Sequence, residues 1–166
     1  MGPINTRVVR RSAELLGDMY GSNFRYDEGI LTRGGPTGFL GATGIGLATG
    51  LAMATLAAPP TRKIIKRFIP KPGEGPSEQE QEQGFFEIEL KAKHPDDEAL
   101  DLRAIVKGDR DPGYGSTAKM IVESAMALAH DDVKKSGGFW TPASVIGDQL
   151  LQRLPPHAGV TFELVG

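Results

Sequence analysis

The chain has 166 residues, a formal net charge of −2 and no cysteine. That length suits one domain with a moderate core. The charge leaves no broad basic face for a phosphate backbone, so nucleic acid is not an expected partner. The missing thiols remove disulfides, thiolate metal sites and a cysteine nucleophile.

The opening run MGPINTRVVRRS lacks the apolar stretch of a secretory signal. Residues 6–17 predict a short helix: Val8, Val9, Ser12, Leu15 and Leu16 fall near one stripe, and Gly17 supplies a stop. Residues 20–28 predict a short strand through Tyr20, Phe24 and Tyr26.

From Arg33 to Arg62 there is no charge for 28 positions, and then Arg62, Lys63, Lys66, Arg67 and Lys71 arrive with no acid among them. Three readings compete. GATGIGLATG (41–50) has the glycines of a dinucleotide loop, but no β-branched strand precedes it and no ribose-binding acid follows. Pro36 to Ala58 is long enough to cross a bilayer, and Gly46 with Gly50 permits close helix contact in lipid. Only Phe39, Leu40, Ile45, Leu47, Leu51, Met53 and Leu56 are large and apolar there, which weakens a full span. The third reading is a helix packed inside protein. Pro59-Pro60 then breaks the chain, and Thr61 caps an expected basic amphipathic helix ending at Pro70. Its Ile64, Ile65, Phe68 and Ile69 also suit a membrane surface.

Residues 71–84 read as a linker, with Ser77 and Glu80 forming a capping box for one exposed turn. Residues 85–93 alternate Phe86, Ile88, Leu90 and Ala92 against charges, and residues 100–108 alternate through Leu100, Leu102, Ala104 and Val106. Together they predict an antiparallel hairpin with one wet face. The helix over TAKMIVESAMALAHD places Ala118, Ile121, Val122, Ala125 and Ala129 on one face. Thr141 caps a last helix with Pro142 at its first position, and Pro155-Pro156 is expected to end it. Residues 159–165 are a final alternating strand. The fold class is α+β: a mixed or mainly antiparallel sheet, packed helices and one apolar helical segment.

Two places suit chemistry. The loop Asp109–Gly115 leads into a helix whose first turn holds Ser116, Thr117 and Lys119. Free N–H groups, hydroxyls and an ammonium there would hold an anion, and plain loop capping is the alternative. Trp140 lies beside Gly137-Gly138, as a pocket wall or as a staple for the last helix. His94, His130 and His157 have no ligand-like neighbour at helical spacing, so no metal site is expected.

The runs INTRVVRRSAELL, YGSNFRYDE, PPTRKIIKRFIPKPGEGPSEQEQEQGFFEIEL, GDRDPGYGSTAKMIVESAMALA and GGFWTPASVIGDQLLQRL together resemble the C-terminal half of saccharopine dehydrogenase-like oxidoreductases. That group includes trans-acting enoyl reductases and animal members associated with membranes or lipid droplets. The resemblance implies a two-domain parent whose Rossmann-like NAD(P) domain, with a GATGFTG-type loop, is not in this chain. GATGIGLATG looks like that loop but falls in the family's central hydrophobic segment. The second family domain shapes the substrate site and often makes the dimer. By that likeness Tyr114, Thr117, Lys119, Trp140 and Thr141 are candidate cleft residues, without a catalytic assignment.

The expected function follows from the resemblance. Residues 1–166 form the C-terminal substrate-binding or dimerisation domain of an NAD(P)-dependent oxidoreductase, with the apolar-then-basic segment at 36–69 and the linker at 71–84. The chain would be a fragment or split gene product, inactive alone. No cofactor is expected on this chain by itself, whereas NAD(P) is implied for the full-length family. Expected partners are a small-molecule or lipid-like substrate, a second copy or a separate Rossmann subunit, and a membrane surface met by Arg62, Lys63, Lys66 and Arg67. The expected location is cytoplasmic, with membrane or lipid-droplet association as a variant. The alternative function is a membrane-associated binding or scaffold protein without catalysis.

Overall fold

A computed structural model describes residues 2–57, 61 and 73–165. They divide into two compact units. One holds residues up to Thr6 and Tyr26–Gly75; the other holds Arg7–Arg25 and Pro76 onward. The expected basic helix at 61–70 lies outside the described residues, apart from Thr61.

The second unit is built on three antiparallel strands in the order β1 (Phe86–Ala92), β2 (Leu102–Gly108), β3 (Val160–Val165). The hairpin expected from alternation is present, with Phe86 opposite Gly108 and Ile88 opposite Val106. Val106 in turn faces Phe162. Because side chains alternate with period two, this register gathers Phe86, Ile88, Leu90, Val106, Val160, Phe162 and Leu164 on one face. The other face carries ion pairs, Glu89 with Arg103 and Lys107 with Glu163. The fold class is α+β, as the sequence implies.

Helices α1 (Gly2–Leu16), α2 (Gly35–Ala57), α3 (Glu78–Gln83), α4 (Gly115–His130) and α5 (Pro142–Ala158) complete the described residues, with 3-10 turns at Gly17–Tyr20 and Glu98–Leu100. The core is Leu154, Ala158 and Val160, packed by Phe86, Val106, Met120 and Leu150. It lies at the Phe86–Val160 end of the sheet. Toward the other end Ile88, Leu90, Leu102, Phe162 and Leu164 on the same face are exposed.

Three local expectations change. Residues 21–33 form no strand, and the 3-10 turn Gly17–Tyr20 stands at its expected start. Three aromatics do not make a strand without a partner to pair its backbone. The apolar stripe of α4 points outward: Ile121 and Val122 are exposed, and the buried side runs through Ser116 and Ala127. Helix α5 runs through Pro155 and Pro156 to Ala158. Proline φ is helical, and the carbonyls these prolines leave unbonded belong to the exposed Leu151 and Gln152. Gly159 ends the helix instead, at φ +66°. Within the expected linker, α3 forms with the Ser77–Glu80 capping box in place.

The other unit is dominated by α2, which is 23 residues long. Every residue along it is exposed except Gly38 and Thr55. The run GATGIGLATG lies inside this helix, where its N–H groups already meet carbonyls one turn back. Only first-turn N–H groups are free to hold phosphate, so the run does not fit a pyrophosphate.

Candidate functional site

The loop before α4 is held from three directions. Asp109 N donates to the Gly159 carbonyl (3.2 Å) and Asp111 N to the Gln81 carbonyl (3.0 Å). Arg110 reaches Glu82 at 3.5 Å. Helix α3 therefore scaffolds the loop, a role that composition alone hides. At Gly84 a side chain would run into the Asp111 backbone, which explains glycine at this close approach.

Asp111 then folds back on the helix start. Its Oδ2 accepts from Tyr114 N (2.6 Å) and Gly115 N (3.3 Å). These backbone donors, Tyr114 first, hold its carboxyl below the ordinary aspartate range despite an opposing burial effect. Ser116 Oγ donates to the Arg110 carbonyl and Thr117 Oγ1 to the Pro112 carbonyl. The two hydroxyls and the N–H groups of Tyr114, Gly115 and Ser116 are thus engaged by the loop's own acceptors. Tyr114 keeps an exposed ring, and Lys119 is half-buried.

Trp140 and Thr141 lie at the start of α5. Thr141 and Ser144 form a reciprocal capping box. Thr141 Oγ1 also lies 2.7 Å from Ser12 Oγ, and all three hydroxyl residues are buried. Trp140 Nε1 donates to the Ser136 carbonyl (2.9 Å), and Lys135 Nζ sits 5.2 Å from the ring centroid. Those contacts tie the indole to its own loop.

The five residues do not converge. Gln149 Nε2 donates to the Asp132 carbonyl, Arg153 binds Glu123, and Leu154 shares its cluster with Met120. From Asp132, just past α4, to Glu123 and Met120 the partners descend as α5 ascends beyond its kink at Ile146, so the helices run antiparallel there. Tyr114, Thr117 and Lys119 are therefore at one end of the pair and Trp140 and Thr141 at the other. From Lys119 to the end of α4 at His130 the helix rises about 17 Å, and from Thr117 about 20 Å.

Sequence reasoning missed a cavity of about 370 Å³ beside the second half of α1. Arg10, Glu14, Tyr20, Phe24 and Arg25 line it. Tyr20 and Phe24 meet edge to face at 4.7 Å, across the positive-φ Gly21. Their spacing of four is its one signal in the sequence. Arg11, not Arg10, pairs with Glu14. An open pocket with two guanidinium groups and an aromatic wall can receive an anionic group on an apolar body. A smaller hollow of about 220 Å³ lies at the far end of the sheet, among Lys91, Lys93, Asp101, Leu102, Arg103 and Val165.

No protein-family model matches the chain, and no solved structure matches it. Among curated proteins, one from Mycobacterium tuberculosis H37Rv that carries the provisional name trans-acting enoyl reductase is 40% identical over 98% of the chain and 39% of its own length. The trans-acting enoyl reductase of Mycobacterium ulcerans Agy99 is 38% identical over 93% of the chain and 37% of its own length. That of Mycobacterium bovis BCG Pasteur is 36% identical over 96% and 38%. Relatives named as trans-acting enoyl reductases therefore align along nearly all of this chain, which spans about two-fifths of their length.

Proposed function

We propose that this chain is the substrate-side and dimerisation part of a saccharopine dehydrogenase-like, NAD(P)-dependent oxidoreductase, inactive by itself. The observation that carries the reading is the extent of the likeness to enoyl reductases, nearly complete along this chain and about two-fifths complete along theirs. The nicotinamide in this reading is held by a Rossmann domain outside these residues, since the glycine run here is helix interior.

Two apolar surfaces support it. The bare half of the sheet face and the outward stripe of α4 at Ile121 and Val122 each expose large apolar side chains that a cover would bury. A second copy, or a separate Rossmann subunit, supplies that cover. Tyr114 and Lys119 then face a small-molecule or lipid-like substrate beside the start of α4 that Thr117 fixes, while Trp140 and Thr141 fix the start of α5 at the other end of the pair.

Isothermal calorimetry of the chain with NADPH tests the cofactor assignment. No heat of binding is expected, and micromolar affinity overturns it. Adding a relative's cofactor domain is expected to restore enoyl reduction.

A second reading places a cytoplasmic chain on a membrane or lipid-droplet surface, with Arg62, Lys63, Lys66 and Arg67 near the headgroups. The uncovered α2 favours it: this helix is long and apolar enough to cross a bilayer, and no part of its apolar window is buried. Flotation with liposomes tests it, and a chain that stays with the soluble fraction overturns it.

A further inference from the structure

We propose that α2 enters the hydrocarbon of a lipid bilayer from one side only, as an excursion that leaves and rejoins the sheet-bearing unit on the same side. The proposal rests on the membrane reading above and adds its topology.

The helix has no polar side to turn toward water. At about 100° per residue, Phe39, Leu51 and Ile45 fall about 120° apart around its axis. A helix that is apolar all round is buried in protein or in lipid, and among the described residues nothing covers this one. Its 23 residues extend about 34 Å, so with both ends on one side the helix lies within the near leaflet and does not stand upright across the roughly 30 Å of a bilayer interior. Polar side chains on it are partly neutralised locally. Thr43 Oγ1 donates to the Phe39 carbonyl and Thr55 Oγ1 to the Ala52 carbonyl, both at 2.8 Å. Those hydroxyls need no water.

The charge pattern complements a bilayer rather than a protein core. The 28 positions between Arg33 and Arg62 carry no charge. Arg33 precedes them, and five basic residues follow with no acid among them. Cations at both ends of an uncharged stretch match anionic headgroups on a hydrocarbon layer.

The fold then decides the topology. Residues 7–25 precede α2 and residues from Pro76 follow it, yet both belong to one compact unit. Ser12 and Thr141 touch within that unit at 2.7 Å, and both are buried. A single crossing would set these two parts on opposite sides of about 30 Å of hydrocarbon and break the unit. One-sided entry keeps it whole.

The chain has no cysteine, so single cysteines are clean reporters. Full-length Ser22→Cys and Asp96→Cys variants, at exposed positions before and after α2, are synthesised with sealed vesicles of phosphatidylcholine and phosphatidylglycerol. They are then treated with a membrane-impermeant maleimide. Both are expected to label fully without detergent. Protection of either one until detergent is added overturns the one-sided topology.

Flotation of the wild-type chain with the same vesicles is expected in both about 0.1 M and about 1 M salt. Absence of flotation overturns the membrane reading itself, leaving a protein cover for α2. Flotation lost at high salt means attachment by charge alone and overturns insertion. Two arginines at Leu47 and Leu51 (Leu47→Arg, Leu51→Arg) are expected to lower the floated fraction by more than about tenfold. Fluorescence of Trp140, the sole tryptophan, should be unchanged in that variant, since this residue belongs to the other unit. An unchanged floated fraction overturns insertion through α2.

Discussion

Ser12 Oγ and Thr141 Oγ1 lie 2.7 Å apart across 129 positions of sequence, and both residues are buried. This contact joins the second half of α1 to the start of α5. Ser12 also donates to the Val8 carbonyl, and Thr141 shares its hydroxyl with Ser144. Each hydroxyl therefore has a local partner as well as a distant one. Ser12→Ala is expected to cost about 1 kcal/mol, the net worth of a buried hydrogen bond. Thr141→Val should cost more, about 1–3 kcal/mol, because it also removes the helix cap and leaves Ser12 facing a methyl. Urea unfolding followed by Trp140 fluorescence measures both. A double variant whose cost equals the sum of the two would show that the hydroxyls are not coupled.

The Asp111 carboxylate accepts backbone N–H bonds from Tyr114 and Gly115, and its pKa is depressed in the folded chain. A depressed folded pKa means that the stabilisation is present above the unfolded value, near 3.9 for aspartate, and is lost as pH falls through the folded pKa. Asp111→Ala is expected to lower the melting temperature at neutral pH, and the gap to wild type should close below about pH 4. Thermal melts at several pH values decide it. A gap that stays constant into acid would mean that the carboxylate charge plays no part.

Gly159 ends α5 at φ +66°, and a side chain there would collide with the Asp109 carboxylate. Gly159→Ala is expected to destabilise by more than about 1 kcal/mol, through the left-handed backbone alone and then through displacement of Asp109. Because Asp109 N donates to the Gly159 carbonyl, the loop leading into α4 should loosen with it. Hydrogen exchange at residues 109–115 reads that effect, and protection equal to wild type there would contradict it.

Leu164 is 80% exposed on the bare half of the sheet face. Leu164→Lys is expected to leave stability within about 0.5 kcal/mol, since little apolar area is lost. It should also reduce self-association, which sedimentation velocity measures across concentration. If the variant associates as the wild type does, a second copy does not use this face.

Much of the fold is legible from local patterns. The alternation in residues 85–93 and 100–108 specifies a hairpin, because one face is apolar and the other charged; a slip of one residue would exchange them. Thr141 and Pro142 mark a helix start by their own chemistry, and Ser77 with Glu80 does the same for a helix inside an otherwise linker-like run. The candidate site was less legible. Hydroxyls and N–H groups around 114–117 look available in sequence, and only the fold shows Asp111 and the local carbonyls using them. Arg10 and Arg25 meet in one cavity because Gly17 and Gly21 turn the chain between them at positive φ, and no spacing rule announces such a turn.

The sequence by itself determined the three strands of the sheet, the caps, the uncharged stretch and the likeness to a larger oxidoreductase, since each depends on residues within a few positions of one another or on the order of whole motifs. Tertiary structure alone decided which face of α4 is buried, that the five cleft candidates fall into two groups, and that the residues on either side of α2 belong to one unit. Those outcomes depend on which distant surfaces meet, as Ser12 meets Thr141, and burial is a property of the pair rather than of either segment.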